Sequence, residues 1–367
     1  MRLSADRGAT KPGDLLDDRV LDSLFAPLLS AAAILVAVSG GPDSMALLHL
    51  LARWAGRGGR PRLLAATVDH GLRVESAEEA DLAARQAAAC GVTHRNLPWL
   101  GPKPEAGLQE AAREARYALL VAAARSEAAS HLVTAHTQDD QAETLLMRLA
   151  AGSGLAGLAG MRPEVERDGI RHVRPLLGLP KKMLVDLCRR EGWPFVEDPS
   201  NTDPRFARAR WRRIMPQLAA EGLSVARLAR LSVRALRVEE ALDVKAREAF
   251  ERARSGPGPD LALKAFVLLD EPFEIAVRVV VLALTALRGA GDHARLERVE
   301  GATERLRGAA RAGRPLRLTL AGALLTLDRA GELRFSAEPT RRRGRYRFVS
   351  DDAAAMPHSL GKGGGHA

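Results

Sequence analysis

Residues 34–44 read ILVAVSGGPDS. The run from Ile34 to Val38 has the length and β-branched content of a buried parallel strand, and MALLHLL from Met45 begins an apolar-periodic helix. The segment between them is a strand-to-helix turn. Gly40 and Gly41 let the backbone approach a ligand and take positive φ, while the free N–H groups at the start of the helix form an anion site. Ser39 and Ser44 add hydroxyl donors. Asp43 is the odd member, because a carboxylate among phosphates repels them unless a divalent cation lies between. The combination points to a metal-bound nucleotide. It is not a Walker loop, which ends in GK[ST], nor the GxGxxG of dinucleotide folds.

The chain has 367 residues, 46% apolar and 27% charged, which fits a soluble globular protein of two domains with a real core. Cys90 and Cys188 are far apart in helical patterns, so neither a disulfide framework nor a zinc site is expected. MRLSADRGATKPGDLLDDR lacks an apolar segment, against a signal peptide, and the helix candidate Ile275 to Leu287 is too short to span a bilayer. A cytoplasmic protein is the expectation. A formal charge of +10 suggests a polyanionic partner, but arginine outnumbers lysine 48 to 7, a bias of GC-rich genomes that weakens the bulk argument. Local clustering says more. Arg205 to Arg237 carries nine arginines against the single acid Glu221.

From about residue 31 to 200 the pattern alternates strand and helix: LLAATVDHGL, a helix opened by the capping box Ser76-Ala-Glu-Glu79, VTHRNLPW, a long helix from Leu108 to about Ala129, the strand His131 to His136, and a helix from about Gln141. This predicts a parallel sheet covered by helices on both faces, with ligands at the carboxyl ends of the strands. Ser39, Asp69 with His70, and His136 to Asp140 fall at three such ends. Beyond Pro216 the text turns helical, with a break at Ser255-Gly-Pro-Gly-Pro. Arg314 to Phe335 suggests a small hairpin, and RRRGRYR to the end reads as a basic, disordered tail. The expected organisation is an N-terminal extension over 1–30, a catalytic domain over 31–218, a mainly helical domain over 219–345 and a tail over 346–367.

In HTQDDQAET, from His136 to Thr144, Asp139 or Asp140 can cap a helix, with Glu143 beside them in the first turn. Capping alone explains acids here. A second acidic cluster across from Asp43 is also what a magnesium-bound triphosphate needs. His70 and His136 flank the crevice, as packed hydrogen-bonding rings or as proton carriers. Trp54, Trp99, Trp193 and Trp211 read as core residues, with Trp211, among arginines, also placed to stack on a base.

SGGPDS after a strand resembles the PP-loop of ATP pyrophosphatases, which split ATP into AMP and pyrophosphate. Together SGGPDS, VDHGLR, EARYALL, HTQDDQAETLLMRLAAGSG, RPLL and FVEDPSN resemble the tRNA(Ile)-lysidine synthetases, in that family's order, strongly over residues 31–218 and loosely to about 340. The resemblance implies an α/β fold, with a parallel-sheet PP-loop domain, similar to adenine nucleotide alpha hydrolases, followed by a smaller mainly helical domain. It implies that Ser39, Gly40, Gly41, Pro42, Asp43 and Ser44, with His70 and His136, bind ATP. Asp43 and Asp140 would hold magnesium, Glu143 would join them at the reacting groups, and Arg116 would steady the α-phosphate. The implied partners are free L-lysine and tRNA(Ile) with a CAU anticodon, whose cytidine 34 is adenylated at its C2 oxygen and then attacked by the lysine ε-amine. Arg205, Arg208, Arg210 and Arg212, in the linker leading out of the catalytic domain, would contact RNA phosphates. There the family's usual Arg-Asn-Arg is Arg208-Ala209-Arg210 in this chain. The rivals are a PP-loop tRNA thiolase, which generally needs paired cysteines, an amide-forming ligase of the NAD or GMP synthetase type, and a non-catalytic RNA-binding protein. The lysine pocket, the tRNA identity elements and the oligomeric state are left open by the sequence.

Overall fold

The computed structural model describes residues 12–71, 76–101, 103–104, 107–197, 203, 205–255, 261–288 and 295–338. Contacts divide the chain into two compact units, Met1–Val244 and Lys245–Ala367.

In the first unit α1 (Asp18–Leu24) precedes β1 (Ala33–Ala37), α2 (Pro42–Ala55), β2 (Arg62–Asp69), α3 (Ser76–Ala89), β3 (Thr93–Pro98), α4 (Leu108–Ser126) and β4 (His131–Val133). Then come α5 (Gln138–Ala150), α6 (Leu155–Leu158), β5 (Glu164–Arg167), β6 (Ile170–Val173), α7 (Lys181–Glu191) and α8 (Ala207–Ala220). A long helix, α9 (Val225–Ala253), begins in this unit and ends in the next. The described strands form a sheet in the order β3-β2-β1-β4-β6-β5, parallel except for β5.

Period-2 alternation explains why β1 is apolar throughout. Ile34, Val36 and Val38 enter one core cluster with Met45, Leu48 and Trp54 of α2, while Ala33 and Leu35 enter another with Tyr117, Leu120 and Val121 of α4. Helices therefore cover both faces, as the alternating pattern requires. The order β2-β1-β4 sets the three ligand-facing strand ends side by side. Leu15, Leu21, Phe25 and Leu28 lie in the α2 cluster, so this part of the expected extension is built into the core.

Several expectations change. The strand at His131 stops at Val133, and Thr134 to His136 already belong to the loop. Pro216 lies inside α8. The β5-β6 hairpin was not anticipated, although its turn, Asp168-Gly169, has φ of +48° and +79°, the geometry that Asp-Gly favours in two-residue hairpins. The contact division falls within α9, beyond the compositional limit at 218. Trp211, Met215 and Leu218 of α8 and Leu228 of α9 close on Leu145 and Leu146 of α5.

The second unit contains β7 (Leu261–Lys264), α10 (Phe266–Asp270), α11 (Phe273–Arg288), α12 (Leu296–Arg311), β8 (Leu316–Leu320), β9 (Ala323–Leu327) and β10 (Glu332–Ala337). Its sheet is antiparallel in the order β7-β10-β9-β8. The expected hairpin is thus part of a four-stranded sheet, because β7, from before the helices, pairs with β10. Among the described residues no helix is long and apolar enough to cross a membrane. The tail over 346–367 and most of the Gly/Pro break, at 256–260, lie outside the described residues.

Candidate active site

The turn between β1 and α2 is held by its own serine. Ser44 Oγ donates to the Gly41 carbonyl at 2.9 Å and accepts from the Ser39 N–H at 3.1 Å, with Ser39 Oγ at 3.2 Å. Ser44 is buried, so it braces the loop instead of offering its hydroxyl outward, contrary to the sequence reading. Of the two glycines only Gly40 takes positive φ, +83°; Gly41 has φ −73° and caps α2. A Cβ on Gly41 would meet nothing closer than Ser39 Oγ at 3.8 Å, so this glycine keeps open a cradle that a side chain would fill. The Val196 N–H donates to the Gly40 carbonyl at 3.0 Å and ties the FVEDPSN segment to the loop.

Asp43 lies in the first turn of α2. One of its oxygens pairs with the Lys181 ammonium, while Oδ1 is buried without a hydrogen-bond partner. Burial pushes Asp43 up to about 6 against the pull of Lys181, and Asp140 and Asp139 push the same way. An orphaned buried carboxylate oxygen is costly in an apolar surrounding and suits a hard cation. Among the described residues no group of three His, Cys, Asp or Glu forms a metal cage. Were magnesium held at Asp43, phosphate oxygens and water would have to supply the rest of its shell.

Asp140 has the capping role. Thr137 is the N-cap of α5, and Asp140 Oδ2 accepts from the Thr137 N–H at 2.8 Å and its hydroxyl at 2.9 Å. Its other oxygen faces Arg208 Nη1 at 3.3 Å. Burial opposes the charge of Asp140, but His136, the Thr137 bonds and Arg208 together outweigh it and hold the carboxyl below the usual range. Glu143, one helical turn on, is 3% exposed, receives Arg212 Nε at 2.5 Å and has Arg208 Nη1 at 3.8 Å. Burial still pushes Glu143 up, despite Arg212. Asp139 turns away and accepts the Lys181 N–H at 2.7 Å, capping α7.

The structure thus gathers Asp43, Asp140 and Glu143 with Lys181, Arg208 and Arg212. Lys181 was missed: in LGLPKKM it reads as an ordinary helix start, and only the fold brings it to Asp43. Arg208 and Arg212, expected on RNA phosphates, face carboxylates of the chain itself. Arg205 pairs with Asp203 at 2.6 Å, and Arg210 Nη1 donates to the Arg205 carbonyl at 2.9 Å.

The two histidines flank this cluster in different ways. His70 Nε2 accepts from Arg116 Nε at 3.3 Å and Nη2 at 3.1 Å, so its proton sits on Nδ1, which is buried without a partner. Burial and the Arg116 cation push His70 down to about 4. His136 Nδ1 lies 2.8 Å from Thr134 Oγ1. Trp54 is buried as expected, Trp99 meets His70 edge-on at 5.9 Å, and Trp193 stacks on His49 at 4.2 Å. Trp211 packs against the α5 cluster.

Comparison with known proteins gives the family. The PP-loop domain family matches residues 16–218. A tRNA(Ile)-lysidine synthase of Methylobacterium nodulans is 52% identical over 336 residues, 89% of this chain and 96% of that protein. One from Bradyrhizobium diazoefficiens is 46% identical over 344 residues, 89% of this chain and 95% of that protein. The chain belongs to the tRNA(Ile)-lysidine synthase family. It is therefore an ATP-dependent PP-loop enzyme, a ligase that modifies tRNA. A U34-tRNA thiolase from Methanococcus maripaludis, 18% identical, superimposes with a TM-score of 0.52 over 61% of this chain and 78% of that one. At that identity the likeness is one of fold, and the near relatives carry the lysidine synthase name, so the thiolase alternative is not favoured.

Proposed function

We propose that this chain joins free L-lysine to C2 of cytidine 34 in the CAU anticodon of tRNA(Ile), as a cytoplasmic enzyme. The observation that carries the reading is the pairing of an open glycine cradle with an unsatisfied buried carboxylate at Asp43, inside a chain of this family. The Gly40–Ser44 turn and the N-terminus of α2 suit the phosphates of ATP, with amides aimed where charge develops on the departing pyrophosphate. Magnesium, held by Asp43 and approached by Asp140, would neutralise charge on the phosphates. The cytidine C2 oxygen attacks the α-phosphorus and the bond to the β-phosphate breaks. The lysine ε-amine then forms the bond to C2 as AMP leaves.

Around that chemistry the side chains have separable tasks. Lys181 balances Asp43 while no nucleotide is present. Glu143 and Asp140, each facing arginine, bring negative charge suited to a cationic amine, and Arg208 and Arg212 are suited to carboxylate or phosphate oxygens. Arg116 would steady the α-phosphate, a role that its bonds to His70 at the end of β2 support. Arg205 and Arg210, on the outer side of the linker, remain candidates for RNA phosphates.

The test is incubation with ATP, labelled lysine and tRNA(Ile) transcripts bearing CAU or UAU. Label is expected in the CAU transcript alone. Incorporation into UAU, or none into CAU, would remove cytidine 34 as the target.

A further inference from the structure

Behind His136 runs a chain of hydrogen bonds that fixes where its proton resides. It starts in the β5-β6 hairpin. Arg167 Nε and Arg174 Nη2 each lie 3.2 Å from His172 Nδ1. A guanidinium donates and never accepts, so His172 Nδ1 must be the lone-pair nitrogen and the His172 proton must sit on Nε2. That nitrogen is 2.8 Å from Thr134 Oγ1, which accepts its proton. The threonine has one hydrogen of its own, and its remaining neighbour is His136 Nδ1 at 2.8 Å. The oxygen could accept from both rings, but its own hydrogen would then have no acceptor in this network; donation to His136 satisfies every group, with Nδ1 of that ring as acceptor and its proton on Nε2.

The surroundings favour this single arrangement. His172 is fully buried in β6, directly opposite Leu132 of β4, and Tyr117 tilts against it at 5.3 Å with Arg167 over the other ring at 4.2 Å. Burial pushes His172 down to about 2, with Arg174 adding to the effect, and pushes His136 down to about 3 against the pull of Asp140. Both shifts favour the neutral ring at physiological pH. In water a neutral imidazole exchanges between its two tautomers, whereas a ring receiving a bond at Nδ1 does not.

We propose that Thr134 and His172 are positioning residues that lock His136 as a neutral donor through Nε2, so that it gives a hydrogen bond to an anionic oxygen of the bound nucleotide and does not serve as a base. The proposal about the nucleotide rests on the function proposed above; the tautomer does not. His70, across the β2-β1-β4 strand ends, carries the opposite tautomer, with its proton on Nδ1. The crevice is therefore flanked by two neutral histidines of opposite polarity, each set by arginines at one ring nitrogen or one step further back.

The experiment uses the full chain with 15N-labelled histidine and reads two-bond proton–nitrogen correlations without ATP, with His136→Gln assigning the ring. The expected pattern for His136 is a single tautomer protonated at Nε2. In Thr134→Val the ring loses its donor and should become a mixture of tautomers, and in Thr134→Ser the parental pattern should return. In parallel, kcat for lysine transfer should fall about tenfold or more in Thr134→Val and recover in Thr134→Ser. A His136 ring protonated on Nδ1 in the parent would overturn the proposal, as would a Thr134→Val variant with unchanged tautomer or unchanged kcat. If the valine variant does not fold, the parental spectrum and the serine variant still decide. A correct tautomer in a chain that transfers no lysine would instead count against the proposed function alone.

Discussion

Two buried carboxylates paired with arginine, one in each compact unit, look alike in a catalogue of ion pairs and behave differently. Glu271, in the second unit, is 7% exposed and meets the cations of Arg252 and, at 3.5 Å, Lys245. Glu143, in the first, is 3% exposed and meets Arg212 and Arg208. The difference is the company. Burial is the main push upward on both Glu143 and Asp43; Asp140, which shares the arginines of Glu143, adds its charge to that push on both, and Asp139 adds to it on Asp43. Burying a charge is thus no mark of a site by itself. Crowded like charges with an oxygen left unsatisfied are, because a fold tolerates that cost where a ligand relieves it.

The sharpest way to break this contrast is to neutralise one member of each assembly. Asp43→Asn and Glu143→Gln should each lower lysine transfer by about 100-fold or more while the chain remains folded, since each removes charge aimed at reacting groups. Steady-state transfer assays beside circular dichroism melts would show it. Full turnover at matched stability would place the active site elsewhere.

Glu271→Gln should do the reverse. Removing the carboxylate leaves Arg252 and Lys245 without their partner, and the expected loss is about 1–3 kcal/mol of stability, less than for a dry pair because both cations are partly exposed. The adenylation step itself should be untouched. A denaturant titration and a pyrophosphate-release assay separate the two effects, and a catalytic defect without destabilisation would dissolve the distinction drawn here.

How much of this was legible in the chain depends on whether the signal is local. The β1-loop-α2 text carries its own geometry, since a buried strand, two glycines and an apolar helix follow one another within a few residues. The parallel sheet and its two covered faces follow from the same kind of alternation. The role of Ser44 and the φ of Gly41 were misread, because a hydroxyl's partners and the hand of a turn are set by the folded loop. Lys181 and the partners of Arg208 and Arg212 were invisible for the same reason: residues 43 and 181, or 143 and 212, meet only after the helices dock. Asp168-Gly169 is a different case. Its turn signal was present, but the flanking strands are four residues each, too short to show a period. With that hairpin the His172 relay went unseen.

The strained side of the comparison also has a pH signature. Asp43 keeps its proton up to about pH 6 in the fold, against an ordinary value near 4, so its contribution to stability is present below about pH 4 and lost as the pH rises through 6. The displacement corresponds to at most about 3 kcal/mol. Without nucleotide or magnesium, Asp43→Asn should therefore melt higher than the parent at pH 7.5, with the gain shrinking toward pH 4.5. An equal gain at both pH values would mean that burial of the charge is not the cause.

The smallest effect expected is none. Cys188 Sγ donates to the Pro42 carbonyl at 3.4 Å and burial pushes the thiol up to about 12, while Cys90 lies against His49 Nδ1 at 3.3 Å and is also pushed up. Neither is a thiolate suited to carry sulfur. A Cys90→Ala, Cys188→Ala double variant should keep lysine transfer within about threefold of the parent, since no thiol takes part in the chemistry and the bond lost beside the loop is a weak S–H contact to Pro42. A strong loss would revive the thiolase reading.

The most direct measurement follows the α-phosphate of ATP. The chain is mixed with tRNA(Ile) bearing CAU and ATP labelled at the α-phosphate, with lysine withheld. Pyrophosphate should be released and the label should stay on the RNA; added lysine should then discharge it as AMP. Release of ADP and inorganic phosphate, with no label on the RNA, would contradict the assignment of the Gly40–Ser44 loop and Asp43 to cleavage between the α- and β-phosphates.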